Sequence, residues 1–308
     1  MRLPKISVVI PTYRREEVLL NTLNQLVMLN HRACEILVVD QTASHQSETA
    51  AALEKLAETG SIVWCQLDEA SVPKAMNHAL MVARADLVLF LDDDIELTSE
   101  LVFEHAKEYE NPDVACVAGR IVQPWERELD EYEGTWTDGQ SSDPDAFRFN
   151  SRKRTDVKRF MGGNFSIRRQ LALSLGGFDE NFVKAAYRFE AEFANRILHA
   201  GLRILFQPAA SLIHLKQNTG GTRSFGDHLR SIWPAHSVGR YYYLLMVNQA
   251  HHRFRRMVFG PLYAVHTRHH LARPWWIPVT FLSELSGMVW AFWLCVRGPK
   301  YIDLQKSN

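Results

Sequence analysis

Residues 87–96 read LVLFLDDDIE, an apolar run that ends in three adjacent aspartates. Side chains alternate across a strand, so Asp92 and Asp94 leave one side and Asp93 the other. Two carboxylates on one side repel unless something positive lies between them, and carboxylate oxygens suit hard divalent cations such as Mg2+ or Mn2+. Asp92 and Asp94 are therefore candidate metal ligands. The competing reading is a solvated acidic turn that caps a helix starting near Thr98. His214, in SLIHL, is a further candidate metal or diphosphate ligand, since a neutral imidazole is a competent ligand; at the end of an apolar strand it reads equally as a satisfied core residue.

Such residues need a scaffold that brings them together. The first 122 residues alternate apolar runs with helical stretches: ISVVIP, a helix near 15–29, EILVVD, a helix near 46–59, SIVWCQL, a helix near 72–84, LVLFLD, a helix near 98–110, then VACVAGRIV. This alternation predicts an α/β fold with a mostly parallel, Rossmann-like sheet flanked by helices. Ligands of such sheets bind beyond the carboxyl ends of the strands. Those ends carry Pro11-Thr12-Tyr13-Arg14, Asp40-Gln41, Asp68-Glu69 and Asp92 to Asp94, so groups able to hold a base, a ribose and a metal gather on one edge. Neither G-x-G-x-x-G nor G-x-x-x-x-G-K-[ST] follows the first strand, which argues against glycine-cradled phosphates. Residues 125–160 are polar and read as an insertion or mobile loop, and structure resumes over 161–215 with a helix near 188–200.

The 308 residues are 46% hydrophobic, which fits a folded protein and not a disordered one. Cys34, Cys65, Cys116 and Cys295 are widely separated and read as reduced core residues of a cytoplasmic protein. The N-terminal MRLPKISVVIP lacks the pattern of a secretory signal. Formal charge is zero, yet eleven Lys and Arg face only Asp227, Glu284 and Asp303 from residue 223 onward. The zero hides an acidic body, 1–222, and a basic, aromatic, helical C-terminal extension, 223–308. Within it WWIPVTFLSELSGMVWAFWLCV (275–296) has the length of a membrane span, weakened by Pro278 and Glu284. Eight arginines and seven histidines over 223–273 suit an anionic membrane surface; the alternative is packing on the catalytic body or a partner subunit. Nucleic acid is not an expected partner, since no recognised binding module is present.

Several ordered stretches resemble the family 2 inverting glycosyltransferases of the GT-A fold: VVIPTYRR, EILVVDQTASH, VPKAMNHAL, LFLDDDIEL, GGNFSIRR, GGFDENF and FEAEFANRILHAG with the SLIHL that follows. The resemblance covers roughly residues 5–216. It implies transfer of a sugar from a nucleoside-diphosphate-sugar, UDP- or dTDP-linked being favoured, to an acceptor hydroxyl. A saccharide or lipid-linked saccharide acceptor, in cell-surface polysaccharide or glycolipid assembly, is the expected setting, and the basic, aromatic extension places the protein peripherally on the cytoplasmic face of a membrane. Two departures stand out. The family's Ala-Arg-Asn is Ala75-Met76-Asn77 here, with Lys74 a possible substitute for the arginine, and its Glu-Asp is Phe189-Glu190.

On that resemblance Asp94 contacts the metal directly, and Asp92 contacts the ribose or the metal through water. Asp93 completes the acidic part of the nucleotide-sugar site as its structural member. Thr12 and Tyr13, after Pro11, line the base pocket; Arg14 reads equally as a solvated first-turn residue. Asp40 accepts hydrogen bonds from base or ribose or, alternatively, caps the next helix, and Asp68 competes with an ordinary turn acid. Asn77 belongs to the nucleotide-sugar set as the helix-borne asparagine. Gly162-Gly163-Asn164 reads as a tight turn beside the acceptor, and Asp179 as a turn or capping residue. Inversion by direct displacement needs one general base, and Glu190 and Glu192 compete for the role. Glu192 precedes Arg196 by four residues, the favoured order for a helix salt bridge, while Glu190 lies about 200° around the helix from it. Glu190 is therefore the expected base. The competing functions are a sugar nucleotidyltransferase, which should open with a Gly-rich, Arg-containing loop where this chain has Pro-Thr-Tyr, and a non-catalytic membrane-surface scaffold.

Overall fold

The computed structural model describes residues 3–31, 33–126, 147–247 and 253–303. The apolar runs become β1 (Ile6–Thr12), β2 (Glu35–Asp40), β3 (Val63–Gln66) and β4 (Leu87–Leu91), separated by α1 (Glu17–Val27), α2 (Ser47–Glu58) and α3 (Val72–Val82). Ser71 caps α3 by accepting from Lys74 N, and Pro73 sits in the first turn, where its missing N–H leaves no bond unmade. The chain continues through β5 (Ile95–Leu97), α4 (Leu101–Glu108), β6 (Val114–Val122), β7 (Thr155–Val157), β8 (Asn164–Arg168), α5 (Arg169–Ser174), α6 (Phe189–His199) and β9 (Arg203–His214). Among the described residues four α-helices follow: α7 (Ser237–Met246), α8 (Arg253–Val265), α9 (Arg268–Ala272) and α10 (Trp276–Arg297).

The strands form one sheet in the order β3-β2-β1-β4-β8-β6-β9-β5, with β7 paired to β9. Strands β1 to β4 run parallel, as do β6 and β9, while β8 lies antiparallel between β4 and β6. Chain order reverses at β1, which pairs with β2 on one side and β4 on the other. At such a switch point the loops leaving adjacent strands diverge and open a crevice. Alternation along the strands fills both faces: Val9, Leu37 and Phe90 join one apolar cluster, Ile10, Val38 and Leu89 the other. A one-residue slip would swap every such side chain, each contributing about 1.5–3 kcal/mol by burial, so the register is firmly set.

Two elements differ from the sequence reading. The acidic triad does not lead into a helix near Thr98; Ile95 is buried, β5 forms, and α4 begins only at Leu101. The cause is pairing, because β5 runs antiparallel to β9 with Ile95 opposite His214. Strand β9 is also longer than expected. Its register on β6 jumps from Gly119↔Gln207 to Arg120↔Ser211, a bulge around Pro208 that lets one strand serve both β6 and β5.

The division at residue 222 is not a packing boundary. Val238, Tyr241, Tyr242, Ala291 and Leu294 belong to the same apolar cluster as Phe90 and Phe178. Beyond α10, Gly298 O accepts from Asn181 Nδ2 (2.7 Å), Lys300 N donates to Asp179 Oδ1 (2.9 Å), and Ile302 N donates to Gly176 O (2.8 Å). Asp179 is thus the anchor for the returning C-terminal segment. Of the polar stretch 125–160, residues 127–146 lie outside the described residues; Phe147 and Phe149 pack edge-on against Phe206 of β9. Among the cysteines only Cys116 is fully buried and Cys34 is exposed, so the expectation of four core thiols holds for one.

Candidate active site

A cleft of about 620 Å³ opens at the carboxyl ends of β1 and β4. Its floor includes Asp92, Asp94 and His214, which offer two carboxylate oxygens and one imidazole nitrogen within 4.8 Å of one another. His214 Nε2 is 3.1 Å from Asp94 Oδ1 and 3.9 Å from Asp92 Oδ2. The β5–β9 pair makes this possible by setting His214 across from the residue that follows Asp94. Gly163 makes it possible for Asp92: a Cβ there would lie 1.9 Å from Asp92 Oδ2, so the carboxylate occupies the space of an absent side chain. A mixed O/O/N donor set of this size fits Mn2+ or Mg2+.

The charges in the cluster are mutually adjusted. Partial desolvation of Asp92 at the cleft floor, with the neighbouring Asp94 adding to it, raises its pKa against the opposing charge of His214. Burial also acts to raise Asp94, but the hydrogen bond and charge of His214, the Gln217 N–H and Arg15 outweigh it and hold the carboxyl low. Burial acts to lower His214, and Asp94 and Asp92 outweigh it, so its pKa rises. A proton and a cation would therefore compete for the same imidazole.

Asp93 faces the other way, as strand alternation requires. Thr12 Oγ1 donates to it (2.7 Å), and Arg15 Nε lies 3.2 Å from Oδ1. Burial pushes Asp93 up to about 7 despite Arg15 and the Thr12 hydrogen bond. Arg15 also reaches Asp94 Oδ2 (3.2 Å) and so bridges two of the three acids from below. Sequence reasoning passed over Arg15. The signal was present: three acids entering a core need a buried cation, and Tyr13-Arg14-Arg15 follows the adjacent parallel strand.

Of the other candidates, Pro11, Thr12 and Tyr13 line the cleft, and Gln41 does so beside them. Arg14 is exposed, with its guanidinium 5.0 Å over the Tyr13 ring. Asp40 does not reach the cleft wall. It is fully buried, with His45 Nε2 (2.7 Å) and Trp64 Nε1 (3.0 Å) on Oδ2 and Thr42 N (2.9 Å) on Oδ1. Thr42 Oγ1 in turn accepts from Arg14 N (2.8 Å), so Asp40 orders the loop beside the cleft from behind. Asp68 is an exposed turn residue, and Lys74 is drawn to Glu69; neither lines the cleft. Asn77 is buried and clamps Phe178 through both its N–H (2.7 Å) and its carbonyl (2.8 Å), which joins α3 to the GGFDE turn. Met76, in the place of the family's arginine, contributes to the cleft lining.

The two glutamates of α6 separate as helix geometry requires. Glu192 is buried and bound by Arg196 at 2.7 and 2.8 Å, with Tyr301 Oη at 3.5 Å. Glu190 lines the cleft and accepts from the Gly162 N–H. Burial, aided by Asp92, pushes its pKa up to about 7 against Arg188 and that N–H. A carboxyl poised there takes up a proton near neutral pH. The GGN motif is thereby resolved: Gly162 serves Glu190, Gly163 admits Asp92, and Asn164 points into the core, where it bonds His105 Nε2 (2.9 Å), Arg120 O and Ala210 O.

The sequence pattern of the family described as Glycosyl transferase family 2 matches residues 7–176. The uncharacterized glycosyltransferase YfnE of Bacillus subtilis is 30% identical over 128 residues, covering 40% of this chain; the match spans less than a third, 31%, of that relative's length. The glucosyl-dolichyl phosphate glucuronosyltransferase of Haloferax volcanii is 24% identical over 222 residues, 68% of this chain and 69% of that one. Among solved structures, the mannosyltransferase PcManGT of Pyrobaculum calidifontis, in complex with GDP-Man and Mn2+, superposes with a TM-score of 0.54 at 20% identity over 97% of this chain and 80% of that one. The shared fold is GT-A.

Proposed function

We propose that this chain, which belongs to glycosyl transferase family 2, is a metal-dependent inverting glycosyltransferase that moves a sugar from a nucleoside diphosphate to an acceptor hydroxyl. The observation that carries the reading is the convergence of Asp92, Asp94 and His214 with Glu190 in one cleft at the switch point of the sheet. A divalent cation held by Asp92, Asp94 and His214 would supply Lewis-acid stabilisation of the departing diphosphate. Tyr13 and Gln41 shape the nucleotide side of the cleft, with Asp40 acting on it through Thr42. Glu190 takes the proton of the acceptor hydroxyl as that oxygen bonds to the anomeric carbon, and the carbon's bond to the diphosphate breaks on the opposite side. Charge at the anomeric carbon develops as in an oxocarbenium ion. Glu192 does not compete for the proton, since Arg196 occupies both of its oxygens.

The acceptor reading extends to a lipid-linked saccharide at an anionic membrane surface on the cytoplasmic side. Its support is the exterior of the C-terminal helices, where α8 and α10 pack together. Phe254, Leu271, Trp275, Val289, Phe292 and Val296 are all exposed there, among the basic side chains Arg253, Arg255, Arg256 and Arg273. Helix α10 is long and apolar enough to cross a membrane, with a third of its apolar window buried. Its Glu284 accepts from Tyr241 Oη (2.7 Å) and pairs with Arg240 (3.1 Å), which ties that face to α7. A helix anchored on one face and apolar on the other suits lying in the interface. The Haloferax relative is named for a dolichyl-phosphate-linked substrate, which accords with this acceptor class.

The test is transfer from a panel of UDP-, dTDP- and GDP-sugars to saccharide and lipid-linked saccharide acceptors, with the product anomer read by NMR. Inversion with Mn2+ or Mg2+ is expected. A product that retains the donor's configuration would overturn the single-displacement reading.

A further inference from the structure

After β9 the segment 215–225 is strapped across one side of the cleft. Leu215 N donates to Asp94 O (2.8 Å), Gln217 N to Asp94 Oδ2 (2.9 Å), Gly221 N to Tyr13 O (2.7 Å), and Arg15 Nη1 to Thr219 O. Gly220 has φ +76°, and a Cβ there would lie 2.3 Å from Arg14 O; only glycine permits so close an approach in that conformation. Phe225 completes the strap by stacking on Tyr13 with 6.1 Å between centroids.

The strap carries Arg223 into the cleft lining, close enough to Asp92 and His214 for its charge to act on both. Its Nη1 is shut off from solvent and has no hydrogen-bond acceptor among the described residues. A sealed guanidinium N–H without an acceptor is rare in folded proteins, and a bound anion would complete it. The other arginines of the cleft are engaged: Arg15 by Asp93 and Asp94, Arg159 and Arg188 by other protein groups. The one cation that sequence alone offered in place of the family's arginine, Lys74, turns to Glu69.

We infer that Arg223 binds the diphosphate of the donor, its free Nη1 donating to a phosphate oxygen beside the Asp92, Asp94 and His214 cluster. This rests on the nucleotide-sugar reading above. The planar fork of arginine matches phosphate oxygens in two directions at once, which a lysine cannot reproduce. Anchoring the strap on Asp94 places the arginine and the metal ligands on one rigid unit, so both meet the same diphosphate.

The experiment compares the full-length protein with Arg223→Ala and Arg223→Lys in calorimetric titrations with UDP, dTDP and GDP in Mn2+, with the matching nucleosides, and with Mn2+ alone. Arg223→Ala should weaken the preferred nucleoside diphosphate roughly 10- to 100-fold, the scale of a lost bond to a charged group. Arg223→Lys should fall between, with nucleoside and Mn2+ affinities unchanged in both variants. Equal diphosphate affinity in wild type and Arg223→Ala would overturn the assignment of Arg223 and leave the donor reading intact. An equal loss of nucleoside affinity would also overturn it, because the arginine would then be packing the strap. A wild-type protein that binds none of the three diphosphates would overturn both.

Discussion

Glu190 and Glu192 lie two residues apart on one helix and have opposite surroundings, and their substitutions should separate chemistry from stability. Glu190→Gln is expected to lower the transfer rate by roughly 10²-fold or more while donor affinity stays near wild type, as loss of a positioned base does. Glu192→Gln should act on thermal stability, because it breaks the buried pair with Arg196. The pH dependence follows from the raised Glu190 pKa of about 7. A base must be deprotonated, so the rate falls as pH drops below about 7, and a bound cation shifts that limb lower. For stability the sign is reversed: a carboxyl whose folded pKa exceeds its unfolded value favours the fold when protonated, and that contribution is lost as pH rises from about 4.5 to 7. Glu190→Gln should therefore melt higher than wild type at pH 8, measured by scanning calorimetry. This pair was legible in sequence because helix angle and the i,i+4 rule fix where each side chain points. Asp40 was not, since an acid at a strand end reads the same whether it faces a ligand or turns back onto His45 and Trp64.

The cluster of candidate metal ligands depends on the close approach of Gly163 to Asp92, which can be tested. Gly163→Ala forces a Cβ into Asp92 Oδ2 and should lower Mn2+ affinity by about 10–100-fold, as loss of an orienting neighbour does, with the far-UV CD spectrum unchanged. Retention of full Mn2+ affinity would show that Asp92 holds no ligand position. Asn77→Ala removes the clamp between α3 and the turn at Phe178 and leaves its buried N–H and carbonyl unpaired. It should cost about 2–4 kcal/mol in denaturant unfolding, without a matching change in nucleotide affinity. The parallel strands and the helices α1 to α3 were legible from period and apolar runs. Strand β5 was not, because three residues have no readable period, and its existence depends on β9, more than a hundred residues away. His214 was legible as a ligand type, but its partner strand was not.

At the scale of the molecule, charge asymmetry sets the C-terminal part apart in composition, while its helices pack into the same core as the body. Composition reports exposure averaged over a segment, while Tyr241, Tyr242 and Leu294 are buried in the catalytic core. Truncation at residue 222 should accordingly leave an unstable or aggregating fragment, read as loss of a cooperative melting transition. The outward face makes a further prediction. The intact protein should sediment with vesicles containing anionic phospholipid, more weakly at high salt, and not with purely zwitterionic ones. Replacing exposed Trp275 and Phe292 with serine should reduce that binding while the melting temperature stays near wild type. Binding equal to wild type in that variant would remove the helices from the membrane contact.

The most direct test of the account as a whole is nucleoside diphosphate release from the UDP-, dTDP- and GDP-sugar panel, with acceptor present, for wild type and Asp94→Asn side by side. The prediction is Mn2+- or Mg2+-dependent release by wild type from one donor class, abolished by excess chelator and by Asp94→Asn in a variant that melts like wild type. Release that continues undiminished in chelator, or in Asp94→Asn, would contradict the claim that Asp92, Asp94 and His214 hold the catalytic cation.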